Sequence, residues 1–520
     1  MKRPLFFSSA IVLLPAATAG AATCEELQSL AMPEATITAA ETVTSGSFTQ
    51  PGRGGGAIGD LPVFCRVAVT LTPTADSAIR MEVWLPAVPA AWNGKFMGVG
   101  NGGLAGTISY GAMGPMLRRG YAVASTDTGH EGLTNDGRWA LGHPEKQIDF
   151  GYRAVHEMTL RAKEIVGAFY SAAPRYSYWN GCSTGGRQGL VEAQRFPGDY
   201  DGIVAGAPVN DWVDLVAQIL SVGAATRAES DDAASPLPAS KLPLIHRAVM
   251  AQCDAPGAGA AQNAAFDGVS DGILENPRRC TFDPAVLRCT GADGPDCLTA
   301  AQVATVRTIY EPLRNPRTGE EIFPGFSRGG ELNWEGIPRG FPIAWSYYRY
   351  MVAADPDWDF RTLDYDAGLA NARAIDAAGA QIAATDPDLR PFQARGGKLI
   401  QYHGFGEPEI ASESSIEYYE SVVRQFGRPA EVSDFHRLFM VPGMGHCRGG
   451  AGATDQFDMV TAIERWVEQG DAPDRIVASR VTDGVVDRTR PLCPYPQVAR
   501  WTGSGDTDDA ASFACVREGP

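Results

Sequence analysis

Three stretches match the Gly-x-Ser-x-Gly pattern that presents a serine hydroxyl for nucleophilic attack: GCSTG (181–185), GVSDG (268–272) and GFSRG (325–329). A nucleophile elbow needs a strand that delivers the serine into a tight, strained turn and a helix whose N-terminus faces the substrate. Only Ser183 has that setting. The strand-like YSYWN precedes it, and TGGRQGLVEAQRF reads as a helix in which Gly185, Gly186 and Gly189 allow close packing on a sheet. Ser270 sits in an Asp-Gly turn, and Ser327 leads into GELNWEGIPRG, which does not start a regular helix.

A serine hydroxyl attacks only when a base accepts its proton, and in this kind of sheet the partners follow in the order Ser, acid, His. Among seven histidines, His446 lies in the turn GMGHC (443–447), directly after the apolar RLFMV. His130, His143 and His156 precede the serine, His246 lies outside the strand-and-helix rhythm described below, and His436 begins a strand. The acid is expected after KLIQ, in YHGFGEPEI (402–410), which offers Glu407 and Glu409; Asp434 lies before its strand, at the wrong end. Glu407 is the expected acid, fixing the imidazole tautomer and stabilising the imidazolium. An oxyanion hole would use the backbone N–H of Thr184 and one from GNGG (100–103), with Gly103 favoured and Gly102 next.

Cys182 precedes the serine and Cys447 follows the histidine. A disulfide requires Cα atoms within about 7 Å, so a Cys182–Cys447 bond would hold nucleophile and base together whatever the surrounding loops do. All ten cysteines (24, 65, 182, 253, 280, 289, 297, 447, 493 and 515) lie beyond the N-terminal segment. An even count favours five disulfides in an oxidising compartment, and the lack of a Cys-x-x-Cys pair argues against zinc. Proximity in sequence suggests Cys289–Cys297 and Cys493–Cys515; the sequence leaves the rest of the connectivity open.

The opening MKRPLFFSSAIVLLPAATAG reads as a secretory signal peptide over residues 1–19, cut after Ala19 or Ala22. Its apolar stretch is too short for a membrane anchor and is broken by Ser8, Ser9 and Pro15. The expectation is a secreted or periplasmic monomer. Its net charge of −17, or −19 without Lys2 and Arg3, repels nucleic acid and anionic lipid, so neither nucleic acid nor membrane is an expected partner.

The elements that must position these residues follow a regular rhythm. IRMEVWL (79–85), KFMGVGNGG (95–103), GYAVASTDTGH (120–130), YSYWN, YDGIVAGAP (200–208), KLIQYHG (398–404) and HRLFMVPG read as strands. HEMTLRAKEIVGAFY (156–170), SESSIEYYESVVRQF (412–426) and DQFDMVTAIERWVEQG (455–470) read as helices. Strands alternating with helices predict an α/β protein with a mainly parallel sheet. The rhythm fails between 209 and 396, which holds four cysteines and the aromatic WSYYRYMVAADPDW (345–358). We read 20–208 and 397–520 as two parts of one sheet domain, interrupted by a second domain at 209–396.

Taken together, GCSTGG, the late GMGHC, the YHG-x-x-acid segment and the ten cysteines resemble the tannase and feruloyl esterase family, which includes hydrolases of mono(2-hydroxyethyl) terephthalate. The resemblance implies a serine esterase on an α/β-hydrolase core with a large inserted lid domain, acting on a small aromatic ester. It also implies the pairings Cys24–Cys65, Cys182–Cys447, Cys253–Cys280, Cys289–Cys297 and Cys493–Cys515. A structural calcium ion (Ca2+) in the lid is implied too. FDGVSDGI (266–273) supplies Asp267 and Asp271 as carboxylate ligands, with the carbonyls of Val269 and Ile273, all hard oxygen donors. The family pattern has a further aspartate closely upstream, after a cysteine. Here Asp254 follows Cys253, but a Gly/Ala-rich insertion intervenes and the uninterrupted position is Ala264, so Asp254 serves only if the insertion loops out.

The chain departs from the family in having Glu407 where Asp is usual and Phe405 where Trp is usual. The extra methylene of Glu407 calls for a slightly retracted loop. Trp345, Tyr348 and Ile410 are the expected contacts for the acyl group, with Tyr347 and Trp358 as further aromatic candidates. The competing readings are a non-catalytic binding protein whose triad the Glu substitution has altered, and a serine peptidase.

Overall fold

The computed structural model describes residues 21–51, 55–226, 237–254 and 267–518. The expected signal segment and Ala264 lie outside them. Nine strands form one sheet: β1 (Ala35–Val43), β2 (Phe64–Leu71), β3 (Ile79–Pro86), β4 (Lys95–Val99), β5 (Ala122–Thr126), β6 (Tyr176–Cys182), β7 (Gly202–Gly206), β8 (Lys398–Gly404) and β9 (His436–Val441). Their order across the sheet is β1-β2-β3-β5-β4-β6-β7-β8-β9. Pairing is antiparallel from β1 to β5 and parallel from β5 through β9. This is the α/β-hydrolase arrangement, with an antiparallel edge that the strand pattern did not announce.

The two-residue period of a strand sends alternate side chains to opposite faces. Ala122 and Ala124 join one core with Met158, Ile165 and Phe392, while Tyr121 and Val123 join another with Met113 and Ile463. Helix α1 (Ala154–Tyr170) covers the first face with Val155, Met158, Ala162, Ile165, Val166 and Phe169, a helical stripe. Helix α2 (Thr184–Arg195) leaves β6 directly.

Between β7 and β8 the chain adds no strand to this sheet among the described residues; a small ribbon, Leu313–Arg314 with Glu321–Phe323, stands apart. The segment carries helices α3 (Trp212–Thr226) and α4 (Ile337–Tyr347) and packs around its own cluster. That cluster also takes in Leu104 and Ile410 from loops of the sheet domain and Phe150 from its helical turn Asp149–Arg153. Helices α5 (Glu413–Phe426) and α6 (Met459–Gln469) follow β8 and β9 and stop at Gly427 and Gly470, both with positive φ.

After α6, strands β10 (Ile476–Thr482) and β11 (Val485–Leu492) form one hairpin. Strands β12 (Gln497–Trp501) and β13 (Phe513–Arg517) form another. Both are separate from the main sheet, so this tail decorates the sheet domain rather than extending it. All five disulfides expected from the family resemblance are present. No helix of the described residues is long and apolar enough to cross a membrane.

Candidate active site

Ser183 sits between β6 and α2 with φ 63° and ψ −126°, a backbone conformation that a side-chain-bearing residue adopts only when its surroundings impose it. They do so here. Ser183 N–H donates to Gly206 O (2.9 Å), Gly185 N–H to Asn101 O (2.8 Å) and Arg187 N–H to Ser183 O (3.0 Å). A Cβ on Gly186 would collide with the carbonyl oxygen of Gly206, so only glycine lets α2 lie this close to β7. The buried guanidinium of Arg187 donates to the carbonyls of Gly151 (2.7 Å), Phe150 (3.1 Å) and Ile382 (3.2 Å).

Glu407 and His446 lie on the loops that leave β8 and β9, neighbouring parallel strands paired at Gly404 and Val441. His446 Nδ1 is 2.8 Å from Glu407 Oε2. Glu407 Oε1 accepts the backbone N–H groups of Glu409 (2.8 Å) and Ile410 (3.3 Å). Burial opposes ionisation of Glu407, but the charge and hydrogen bond of His446, then His403 and the Glu409 N–H, outweigh it and hold the carboxyl below its ordinary value. Asn333, from the inserted segment, donates from Nδ2 to Gly406 O (2.8 Å) and Gly443 O (3.4 Å). It thereby ties the acid loop to the histidine loop.

The rival groups have other partners. His143 bonds Asp76, His156 bonds Asp199, His246 bonds Glu331, and His436 bonds Gln401. His130 meets the Leu104 carbonyl and His403 the Ser415 hydroxyl. Ser270 Oγ donates to Asp254 O, and Ser327 Oγ pairs with Ser412 Oγ. The Cys182–Cys447 bond holds the neighbours of Ser183 and His446 at a Cα separation of 6.0 Å across 265 residues of chain. In the chain-entropy account, closing a loop of that length stabilises the fold by about 5.6 kcal/mol.

Gly103 has φ 53°, and a Cβ there would strike the Thr134 carbonyl. Its own carbonyl accepts the Thr184 hydroxyl at 2.7 Å. Among the described residues the N–H groups of Gly103 and Thr184 donate to no protein acceptor, which leaves both available to an oxyanion. Ser183, Thr184 and Gly103 share a slot with Val209, Trp212, Leu215, Val216, Ile219, Ile343, Glu409 and Ile410. Trp212, Leu215, Val216 and Ile219 form one stripe of α3 at helical spacing. The slot encloses about 40 Å³, far below the roughly 300 Å³ at which pockets for drug-sized ligands begin.

A profile of the tannase and feruloyl esterase family matches residues 65–516. The chain belongs to that family. An uncharacterized esterase of Xanthomonas campestris pv. campestris is 41% identical, with 97% of this chain and 92% of that protein covered. A probable feruloyl esterase B-1 of Aspergillus fumigatus is 35% identical, covering 87% of this chain and 86% of that protein. The crystal structure of feruloyl esterase B from Aspergillus oryzae matches with a TM-score of 0.86 at 32% identity, covering 95% of this chain and 99% of that one. Tannin acyl hydrolase from Aspergillus niger shares the fold, with a TM-score of 0.74 at 23% identity over 94% and 93% of the two chains. As a member of the tannase and feruloyl esterase family, this chain is a carboxylic ester hydrolase.

Two of the three residues expected to contact the acyl group lie elsewhere in this esterase. Tyr348 is buried and stacked on Trp358, with ring centroids 5.3 Å apart. Trp345 lines a separate surface hollow beneath the guanidinium of Arg349, 3.7 Å from its ring. Tyr347 is buried against Trp212. These aromatic side chains satisfy the inserted segment's own core, leaving Ile410 as the one expected contact that lines the slot. The walls that sequence reasoning missed come from α3, whose apolar stripe in WVDLVAQI was the available signal.

The calcium expectation meets a mixed arrangement. Asp254 does reach the turn: its Oδ2 accepts the Gly272 N–H at 2.8 Å. Asp267 accepts from Val269 N–H and Asp271 from Ile273 N–H. Burial, with the charge of neighbouring aspartates added, raises the carboxyls of Asp254 to about 7 and Asp267 to about 6, a repulsion that a cation would relieve. Asp271 Oδ2, however, faces Arg490 (2.8 Å) and Arg488 (3.1 Å). Among the described residues, only His156, Glu192 and Asp199 bring three ligand atoms within 4.8 Å of one another. The oxygen-only donors fit a hard cation in type, while the three aspartates stand wider apart than a closed coordination shell.

Proposed function

We propose that this esterase is an exported serine hydrolase that cleaves esters of aromatic or phenolic acids, of feruloyl, galloyl or terephthaloyl type, through Ser183, His446 and Glu407. The observation that carries the reading is the Glu407–His446 hydrogen bond on a loop whose next residue, Cys447, is bonded to the residue before Ser183. Ser183 Oγ attacks the ester carbonyl as His446 takes its proton. The N–H groups of Thr184 and Gly103 receive the developing oxyanion, each donor worth roughly 10²–10³ in rate. His446 then protonates the departing alcohol, and water, activated by the same imidazole, releases the acid from the acyl-enzyme. The N-terminal segment 1–19 and five disulfides support export to an oxidising compartment, where the enzyme acts as a monomer on a small ester.

Turnover of methyl ferulate, methyl gallate and dimethyl terephthalate, each beside its matched anilide, tests the assignment. At least one aromatic ester should be cleaved about 10³-fold faster than its anilide, since expelling an amine requires a proton delivered to its nitrogen as it departs, which a peptidase is built to supply. Cleavage of short aliphatic esters alone would contradict the acyl assignment, and comparable anilide turnover would favour a peptidase.

Asp254, Asp267 and Asp271, with the carbonyls of Val269 and Ile273, would hold a structural calcium ion that neutralises the buried carboxylates beside the C-terminal hairpins. A ligand bound only by the folded state raises its melting temperature by mass action. Chelation with EGTA should therefore lower Tm by several degrees and added calcium restore it, while Asp254→Asn removes the response. A Tm indifferent to EGTA and calcium would refute the site.

A further inference from the structure

His130 lies on the loop that leaves β5, buried, with its ring stacked on Trp139 at a centroid separation of 3.7 Å. Its Nε2 is 2.8 Å from the carbonyl oxygen of Leu104. A carbonyl only accepts, and Nδ1 has no hydrogen-bond partner among the described residues, so Nε2 carries the proton and donates. Burial, against the pull of the Leu104 carbonyl, lowers the ring's pKa to about 4 and keeps it neutral near pH 7. Leu104 O shares a peptide group with the N–H of Ala105, and that N–H donates to Gly102 O (3.0 Å). Gly102 O in turn shares a peptide group with the N–H of Gly103, one of the two oxyanion donors. Both peptide bonds are trans, so carbonyl and N–H point in opposite directions in each. The peptide group between them is held at both ends, Gly103 O by the Thr184 hydroxyl (2.7 Å) and Leu104 N–H by Thr134 O (2.6 Å). The turn needs such holding: Gly103 and Ala105 have φ of 53° and 57°, and an alanine adopts that conformation only when its surroundings impose it.

We propose that His130 is a positioning residue for the oxyanion hole. Its Nε2–H fixes the Leu104–Ala105 peptide group, whose N–H fixes the Gly102–Gly103 peptide group, so that Gly103 N–H faces the oxyanion formed on Ser183. The inference rests on the serine-esterase reading above and adds a residue to it. Hydrogen bonds linked head to tail also polarise one another, so the donation by His130 strengthens Gly103 N–H as a donor. A hole oriented before the reaction needs no rearrangement as charge develops, which is what makes its donors effective. Removing the first link leaves Leu104 O buried without its donor and frees the turn to rotate.

The test follows hydrolysis of 4-nitrophenyl acetate in the wild type, His130→Phe and His130→Gln, with phenethyl trifluoromethyl ketone as inhibitor. Ser183 Oγ adds to the ketone carbon, its proton passes to His446, and the carbonyl oxygen becomes an oxyanion in the hole. Phenylalanine keeps a ring against Trp139 but removes the donor, whereas glutamine returns an N–H at similar reach. His130→Phe should lower kcat about tenfold to a hundredfold, part of the 10²–10³ that a lost oxyanion donor costs, with KM within about twofold. The inhibition constant of the ketone should weaken by the same factor, which a smaller folded fraction cannot produce, and His130→Gln should recover most of both. Unchanged kcat and inhibition in folded His130→Phe, or a glutamine variant no better than the phenylalanine one, would overturn the proposal. If His130→Phe does not fold, a backbone ester in place of the Ala105 amide removes the middle link and keeps every side chain. Its kcat should fall to the same extent, and wild-type turnover would overturn the relay. Ser183→Ala, run alongside, separates the two readings. If it is inactive, a missing His130 effect sinks the relay alone; if it keeps wild-type turnover, the serine reading falls and the relay with it.

Discussion

Ser183→Ala is expected to reduce kcat for ester hydrolysis by about 10⁴-fold or more while leaving the melting temperature close to that of the wild type. The loss is large because the other candidate hydroxyls are engaged: Ser270 and Ser327 elsewhere, and Thr184, which also lines the slot, by donating to the Gly103 carbonyl. What survives is transition-state binding by the oxyanion donors, which in serine hydrolases sustains roughly 10³–10⁴ over water. Stability should change little, because alanine and serine carry the same Cβ into the strained backbone and the N–H and C=O bonds of residue 183 are kept. His446→Ala should lose about as much, and the double variant should lose no more than either single one, since nucleophile and base act as a unit. Full additivity would mean that the two residues work separately. The measurement is kcat on 4-nitrophenyl acetate beside a thermal melt.

Glu407→Gln should be nearly as damaging, with a loss of about 10⁴ in kcat, while Glu407→Asp should lose far less. The argument is one of tautomers. In the native loop Oε1 accepts two backbone N–H groups and Oε2 faces His446 Nδ1. A glutamine must place its amide oxygen on those N–H donors, which turns its NH₂ toward Nδ1. Nδ1 then becomes an acceptor, the proton moves to Nε2, and the imidazole can no longer accept the serine proton; a triad acid replaced by its amide loses about 10⁴ in this way. Aspartate keeps the charge and the tautomer but shortens the reach across the 2.8 Å contact. Equal losses in the two variants would point to another acid.

The candidate site was legible because its signals are local. A strand, a tight glycine-flanked serine and a helix start mark Ser183, and a glycine-rich turn after an apolar strand marks His446. The paired cysteines bring these distant turns together. Asp254 was placed by its neighbour Cys253, whose bond to Cys280 keeps it near the Asp-rich turn. Apart from Ile410, the apolar wall of the slot was not legible, because it belongs mainly to α3, and only the tertiary path of the chain brings that helix to Ser183. WSYYRYMVAADPDW misled for the same reason: an aromatic run looks alike whether it lines a substrate site or fills a core. The edge strand β1 and the C-terminal hairpins escaped notice because these strands are half exposed. In β10 and β11, Val477, Val481, Val485 and Val486 face solvent, so the alternation that marks a strand against a core is absent.

The most direct test is to treat the folded enzyme with a fluorophosphonate ester and map the adduct by peptide mass spectrometry without reduction. The label should fall on Ser183 alone, in a peptide joined through Cys182 and Cys447 to the one that carries His446. An adduct on Ser270 or Ser327, a peptide pair linked otherwise, or an unlabelled Ser183 in protein that still cleaves esters would contradict the account.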